Sequence, residues 1–297
     1  MNQRSENMSK YFYWDPDPCA FKIPIIDHPI AWYGILFSIG FLVGTQIIAW
    51  LFNRLSADNG IVHVSKHLFG GKQFSEKLLI YVGIATIAGS RIGHLLFYED
   101  LLVYLKAPYK IFMLWEGGLA SHGAVTAIFV ALFFFWRRYY TQIGKLSFKT
   151  LLDLLILPAL IIGAFVRIGN FLNQEILGKP TNIFCGVIFG SPIDGSAPVP
   201  RHPAQLYEAF FYLLLFIIMS SFWKKLINFK GLLAGLFFSS AFLFRFFIEF
   251  VKEEQSLITA NSILNMGQWL SIPFIVLGFA LTYQSLVVRE ELKKKPV

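Results

Sequence analysis

Cysteine and charged residues are both scarce in this chain of 297 residues. Only Cys19 and Cys185 are present, and the histidines show no metal-ligand spacing, so we expect no metal and no cofactor. Charged residues make up 15% of the chain, whereas 56% is hydrophobic and 17% aromatic. A soluble protein of this length cannot bury so much apolar surface. The composition therefore predicts a polytopic membrane protein that binds membrane lipids, and it argues against a nucleic-acid partner despite the net charge of +8.

Seven apolar segments approach the ~20 residues with which a helix crosses a bilayer. They lie near 31–53, 78–98, 118–136, 151–173, 204–223, 231–251 and 267–288. Four intervening segments, 54–77, 137–150, 224–230 and 289–297, hold 15 Lys and Arg residues, against 8 in 1–30, 99–117, 174–203 and 252–266. The positive-inside rule places the first set in the cytoplasm. We predict an all-α integral membrane protein with seven transmembrane helices, its N-terminus outside and its C-terminus cytoplasmic.

The segments predicted to lie outside contain small structured elements. We expect one polytopic domain over residues 1–297, with an outer N-terminal segment at 1–30, an outer loop at 174–203 and a basic cytoplasmic tail at 289–297. Prolines exclude a long helix from the N-terminal segment, which we expect to pair with later loops. The apolar run Ile183 to Phe189 suits a hairpin strand. Both cysteines are expected on this side, where a disulfide is possible but not required.

The most informative stretch runs from Val166 to Gly178, at the end of an apolar run. Arg167 and Asn170 are three residues apart and share a face if the segment is helical, as do Asn170 and Asn173. We expect Gly178 to end this helix. A guanidinium beside amide donors suits a phosphate group. The alternative is a polar helix end that satisfies its own backbone.

Other polar side chains fall at a similar depth of the predicted spans. Tyr33, at the start of the first span, is also typical of an interfacial aromatic belt. Arg91 and His94 share a face of the second span. An arginine within a span is a candidate functional residue. The alternatives are a hydrogen bond to a neighbouring helix and a structural ion pair with Asp153. His122 opens the third span and is a candidate acid or base, although a lone histidine is more often a hydrogen-bonded core residue.

Two further motifs complete the polar set. Gln205 and Glu208 lie on the first turn of the fifth span, where helix capping explains them equally well. Arg245 and Glu249 form an i,i+4 pair inside an aromatic stretch, and a simple ion pair would account for both. All of these residues fall in the outer half of their spans. Together they predict a polar chamber that binds an anionic head group while its acyl chains stay in lipid.

In these motifs the chain resembles the prolipoprotein diacylglyceryl transferases of bacteria, from His28 to about Pro273. The most specific segment is Arg167-Ile168-Gly169-Asn170-Phe171-Leu172-Asn173-Gln174-Glu175-Ile176-Leu177-Gly178. Supporting matches are Trp32-Tyr33-Gly34, Gly89-Ser90-Arg91-Ile92-Gly93, His122-Gly123, Arg201-His202-Pro203-Ala204-Gln205-Leu206-Tyr207-Glu208, Arg245-Phe246-Phe247-Ile248-Glu249 and Asn265-Met266-Gly267-Gln268. The chain departs from the family pattern at Val166, where glycine is usual, at His94, where tyrosine is common, and at Ala124, where a second glycine is frequent.

The resemblance implies a multi-pass protein of the bacterial cytoplasmic (inner) membrane. Its reaction transfers the diacylglyceryl group of phosphatidylglycerol to the acceptor cysteine of a prolipoprotein signal peptide, forming a thioether and releasing glycerol phosphate. Arg167 and Arg245 are candidates for holding the leaving phosphate. His122 is the preferred base for the thiol, with Glu249 or Tyr33 as alternatives.

The remaining site residues are assigned to substrate binding. Asn170 would orient the head group, Glu175 and Gly178 would shape the outer edge of the site, and Arg91 is a further binding candidate. A multi-span transporter or channel for an anionic lipid or solute would use the same arginines without chemistry. A purely structural membrane subunit would leave the polar cluster unexplained.

Overall fold

A computed structural model of the chain describes residues 10–24, 27–57, 69–97, 109, 121–253 and 263–294. For residues 28, 121–122 and 288–294 it describes the backbone alone. The chain divides into two compact units. Met1–Gly44 and Leu152–Val297 form one unit, and Thr45–Leu151 forms the other.

Seven α-helices account for most of the described residues, in agreement with the predicted all-α membrane class. They are α1 (Trp32–Ala57), α2 (Gly71–Phe97), α3 (Ser121–Tyr139), α4 (Phe148–Leu172), α5 (Ala204–Leu226), α6 (Leu232–Ile248) and α7 (Met266–Lys294). Each helix coincides with one of the seven apolar segments. A 3₁₀ turn, Glu249–Val251, follows α6 directly.

Five of these helices, α1, α2, α4, α5 and α7, are long and apolar enough to cross a membrane, and α6 is a shorter apolar helix. Large apolar side chains on them are exposed, such as Ile84 at 64% and Phe210 at 68%. Apolar surface of this extent in water would favour aggregation, whereas in a bilayer it contacts acyl chains.

Close backbone contact holds α2 and α3 together in the unit Thr45–Leu151. Gly89 and Gly93 of α2 face Gly123 of α3, and a Cβ on Gly123 would collide with the Gly89 carbonyl oxygen. Small residues at such a crossing allow the two helix backbones to approach closely. At the other end of α2, Phe74 stacks on Phe52 with ring centroids 4.2 Å apart.

Glycines also pack the helices of the unit formed by Met1–Gly44 and Leu152–Val297. Gly235 of α6 lies against Gly278 and Thr282 of α7, so these helices meet backbone to backbone. Asp153 of α4 fixes the start of α6, because its carboxylate accepts hydrogen bonds from the backbone N–H of Gly231 at 2.6 Å and of Ala234 at 2.8 Å. These contacts hold the start of α6 against α4. The polar residues Arg167 and Arg245 lie towards the other ends of these two helices.

The part of the chain that the structure describes also contains five short strands. β1 (Phe12–Trp14) pairs in parallel with β4 (Val187–Phe189), which pairs antiparallel with β5 (Pro200–Arg201). β2 (Cys19–Ile23) and β3 (His28–Ala31) form a separate hairpin. The β1–β4 pair confirms that the N-terminal segment pairs with a later loop, and β4 confirms a strand within Ile183 to Phe189. Cys19 and Cys185 are free thiols rather than a disulfide.

Candidate active site

The Val166–Gly178 segment is helical only as far as Leu172, where α4 ends. The expectation that Gly178 ends this helix is therefore wrong. Gln174 and Ile176 take left-handed backbone angles, with φ of 51° and 59°, which a non-glycine residue adopts only at an energetic cost. The chain thus turns sharply after α4, and Asn170 and Asn173 both donate to Glu175 Oε1, at 2.7 Å and 3.5 Å.

Contacts from β1 and from residues that follow β1 and β4 hold this turn in place. The Gln174 side chain donates to Asp15 Oδ1 at 2.9 Å and accepts from the Ser191 backbone N–H at 2.8 Å. Trp14 stacks on Phe171 with centroids 4.8 Å apart and donates to its carbonyl oxygen at 3.1 Å. The hydrogen bond from Gln174 lowers the pKa of Asp15, and a smaller contribution comes from Ser191. The Asp15 carboxylate therefore stays charged and accepts the hydrogen bond from Gln174.

Glu208 is the centre of a cluster of five charged side chains that we call the charge cluster. The other members are Arg167, Arg245, Glu249 and Lys252. The Glu208 side chain is 0% exposed, and its carboxylate lies 2.8 Å from Arg167 Nε, 3.9 Å from Arg245 Nη1 and 3.8 Å from Lys252 Nζ. A buried carboxylate needs such partners because isolated burial of its charge is prohibitive.

Glu249 is the second carboxylate of the charge cluster. Its nearest cation is Lys252, with Nζ 2.9 Å from Oε1, whereas Arg245 Nη2 lies at 3.7 Å. Asn265 donates to Oε2 at 3.3 Å from the start of α7. The predicted Arg245–Glu249 ion pair is thus present, but it is longer than the Lys252–Glu249 ion pair. Burial lowers the pKa of Lys252, an effect opposed by the Glu208 and Glu249 carboxylates.

The two arginines of the charge cluster also line one cavity of about 220 Å³ between α4, α5 and α6. Its walls are mostly apolar and include Gly163, Phe237 and Phe242. The Arg245 side chain is 30% exposed, while that of Arg167 is 13% exposed. The cluster has three cations for two carboxylates, so its cavity favours an anion.

Asn170 links Arg167 to the turn after α4. Its Oδ1 accepts from Arg167 Nη1 at 3.1 Å, and its Nδ2 donates to Glu175 Oε1 at 2.7 Å. Gln205 in turn donates to the Glu175 carbonyl oxygen at 2.7 Å. Two hydrogen bonds from one amide fix its orientation, so Asn170 holds the Arg167 guanidinium at a defined angle. The predicted proximity of Arg167 and Asn170 is confirmed.

Tyr33 also belongs to this neighbourhood rather than only to a membrane interface. It lies in the first turn of α1, and its ring packs against Gly169 of α4, where a Cβ would lie 2.8 Å from the ring. The adjacent Trp32 is 41% exposed, as an interfacial aromatic belt requires.

Gly178 lies where three chain segments meet. It pairs with Lys252 as an isolated antiparallel bridge, flanked by hydrogen bonds from Lys179 N–H to the Val251 carbonyl at 2.8 Å and from Glu253 N–H to the Leu177 carbonyl at 3.0 Å. A Cβ at Gly178 would collide with the backbone carbonyl of His202. Gly178 therefore allows the segment after α6 to pair with the turn after α4.

Replacing Gly178 by alanine is expected to destabilise the protein by about 1–3 kcal/mol, because the new methyl group forces this junction apart. Thermal unfolding of the purified variant measures the loss. Gly83→Ala is the matched control, since a Cβ at Gly83 meets nothing within 4 Å. An alanine at 178 that leaves the melting temperature unchanged would contradict the close packing.

The predicted site residues of the other unit lie on α2 and α3. Arg91 is buried at 5% exposure and His94 is half-buried, both near the end of α2. His122 lies in the first turn of α3, and its side chain falls outside the described residues. The structure thus brings together Arg167, Asn170, Glu175, Arg245 and Glu249, with Tyr33 packed beside them.

Sequence reasoning missed Lys252 and underestimated Glu208. From the sequence, Lys252 lies in a loop between two apolar segments, and helix capping explains Glu208 equally well. A signal for Lys252 existed, because Arg245, Glu249 and Lys252 follow one another at helical spacing at the end of an apolar segment. Nothing in the sequence identified Glu208 as the carboxylate that three cations share.

Comparison with known proteins connects this geometry to a family. Residues 18–284 match the family model described as prolipoprotein diacylglyceryl transferase. Proteins named phosphatidylglycerol–prolipoprotein diacylglyceryl transferase are similar over nearly their whole length. The protein of Chlamydia caviae is 39% identical and covers 93% of this chain and 90% of its own. That of Tolumonas auensis is 36% identical, covering 91% and 95%. That of Protochlamydia amoebophila is 33% identical, covering 94% and 96%.

Proposed function

The chain belongs to the prolipoprotein diacylglyceryl transferase family, and we propose that its charge cluster is the place where the donor phosphate is held during transfer. The protein transfers a diacylglyceryl group from phosphatidylglycerol to a prolipoprotein, and this step matures lipoproteins. The observation that supports the site is the cavity of about 220 Å³ lined by both Arg167 and Arg245.

The chemistry explains why cations are needed there. The thiolate of the acceptor cysteine attacks the carbon of the diacylglycerol part that carries the phosphate ester. A carbon–sulfur bond forms, the carbon–oxygen bond breaks, and its electron pair passes to the phosphate oxygen. Negative charge on the departing glycerol phosphate grows in the transition state, and fixed guanidinium groups stabilise it without reorganising. The thiol proton passes to a base and balances that charge.

Arg167 and Arg245 differ in their suitability for this task. Arg167 is anchored by Glu208 at 2.8 Å and by Asn170 at 3.1 Å, so it acts as a fixed donor. Arg245 is more exposed and lies 3.7–3.9 Å from its carboxylates, so it can move onto an incoming phosphate. Asn170 then orients the head group through Arg167, while Glu175, Gly178 and Arg91 contribute to the binding site.

His122 remains the proposed base for the thiol. Glu249 suits that role less, because Lys252 and Asn265 already hold both of its oxygens. Tyr33 is the second alternative, since its ring lies beside the Arg167 segment. We further propose that all seven helices cross the cytoplasmic (inner) membrane, with the N-terminus outside and the C-terminus cytoplasmic.

A mass spectrum of the acceptor tests the reaction. Purified protein in phosphatidylglycerol is mixed with a signal peptide that carries one acceptor cysteine. The expected result is a mass gain of one diacylglyceryl group, absent from the matched Cys→Ser peptide. An unmodified cysteine peptide, from folded protein supplied with this lipid, would favour the transporter alternative, in which the arginines bind an anion without chemistry.

A further inference from the structure

Among the lysines that the structure describes, Lys252 is notable because its side chain is buried. It follows the 3₁₀ turn Glu249–Val251 with extended backbone angles, φ −93° and ψ 149°, and its side chain is 4% exposed. Lysine is almost never this buried without a specific partner. The antiparallel bridge to Gly178 fixes the Lys252 backbone. Since neighbouring positions of an extended segment point to opposite sides, that pairing directs the Lys252 side chain inward and the next one outward.

Glu253, the next residue, confirms this alternation. Its side chain is 43% exposed and lies 3.0 Å from Arg201 Nη1, so it forms an ion pair separate from the charge cluster. Arg201 also donates to the Gly178 carbonyl oxygen at 3.3 Å. The pairing of Gly178 with the segment after α6 is therefore stabilised by Arg201 and Glu253. It does not need the Lys252 side chain, which points into the charge cluster.

We propose that Lys252 is a positioning residue for the transfer reaction, neutralising Glu249 so that the Arg245 guanidinium stays available to the donor phosphate. The inference rests on the proposed function of the charge cluster. It assigns to Lys252 a role through Arg245, without contact between Lys252 and the substrate.

The distances within the charge cluster support separate roles for Lys252 and Arg245. Lys252 Nζ lies 2.9 Å from Glu249 Oε1, while both carboxylates lie 3.7–3.9 Å from the Arg245 nitrogens. Arg245 and Glu249 have the i,i+4 spacing at which a helix pair normally closes. Without a competing cation, the Glu249 carboxylate would draw the guanidinium onto itself. Lys252 supplies that cation, and a carboxylate already compensated attracts Arg245 less.

The surroundings of Glu249 restrict other ways of compensating its charge. Asn265 occupies Oε2 at 3.3 Å, and Gly267 lies so close that a Cβ there would collide with the carboxylate. The Glu249 residue is only 7% exposed, so water has little access to it. When Lys252 loses its charge, Arg245 is the nearest cation in the charge cluster that can replace it.

A double-mutant cycle of Lys252→Met and Glu249→Gln tests the proposal in the full-length protein. The methionine keeps the length of the side chain and removes its charge, and we expect it to raise the KM for phosphatidylglycerol about tenfold or more, with a smaller change in kcat. Lys252→Arg retains the charge and should stay close to wild type. Lys179→Met is the matched control, because Lys179 is exposed at the same junction.

Combining Lys252→Met with Glu249→Gln removes both charges and should recover most of the lost affinity, so the two effects are not additive. Effects on KM that simply multiply would overturn the proposal, as would a Lys252→Met enzyme with unchanged KM. Thermal unfolding of each variant separates a folding defect from a binding defect, and the charge-balanced double variant remains informative if Lys252→Met does not fold. A wild-type enzyme without product in the same assay would instead contradict the proposed function.

Discussion

Replacing Arg167 by lysine is expected to lower the rate of diacylglyceryl transfer by about 100-fold, although the positive charge is retained. The guanidinium contacts Glu208 through Nε at 2.8 Å and Asn170 through Nη1 at 3.1 Å at the same time. The single side-chain nitrogen of a lysine cannot occupy the positions of both Nε and Nη1 and also face the cavity. Initial rates with phosphatidylglycerol and a cysteine-containing signal peptide measure the loss.

Arg137→Lys provides the control for this substitution. Arg137 is exposed near the end of α3, so the same chemical change there should leave the rate within about threefold of wild type. A lysine at position 167 that supports transfer as well as arginine would show that the forked geometry of the guanidinium is not needed. The phosphate would then have to be held by other groups.

Replacing Glu208 by glutamine is expected to destabilise the protein by about 3–5 kcal/mol and to abolish most of the transfer activity. The amide has the shape of the carboxylate but lacks its charge. Arg167, Arg245 and Lys252 would then surround a neutral group that is fully buried, with one carboxylate left for three cations. Thermal unfolding in detergent measures the stability, and the peptide assay measures the activity.

Two further variants test whether the loss of stability in Glu208→Gln comes from removing a buried charge. Glu76→Gln alters an exposed ion pair with Lys72 of 3.9 Å, and it should change stability by less than about 1 kcal/mol. Arg167→Gln combined with Glu208→Gln removes one charge of each sign, so it should regain part of the stability while remaining inactive. A Glu208→Gln protein that melts at the wild-type temperature would contradict a central role for this carboxylate.

Hydropathy located the helices well because the length of an apolar run is a direct consequence of bilayer thickness. It was less accurate where a helix continues into polar residues. α2 begins at Gly71, seven positions before the expected 78, and α7 continues to Lys294 rather than 288. Glu, Gln and Lys at these ends are good helix formers although they are poor membrane residues.

The end of α4 could not be predicted in the same way. Gln174 and Ile176 are both left-handed, and the Gln174 side chain is held by contacts with Asp15 and Ser191, which are distant in sequence. Local propensity favoured a helix up to Gly178, and tertiary hydrogen bonds overrode it. Arg167 and Arg245 were recognisable because arginine within an apolar segment is costly. The spacing of Lys252 from Glu249 is only a weak signal, and the bridge to Gly178 that fixes the Lys252 backbone is a tertiary contact.

Binding of phosphatidylglycerol to an Arg245→Gln variant tests most directly whether the charge cluster holds the donor phosphate. Equilibrium binding to wild type and variant would be compared for this lipid and for diacylglycerol, which has the same acyl chains and no phosphate. We predict that Arg245→Gln weakens phosphatidylglycerol binding about tenfold or more and leaves diacylglycerol binding unchanged. Equal losses for both lipids, or no loss for either, would contradict the assignment of the phosphate to this cluster.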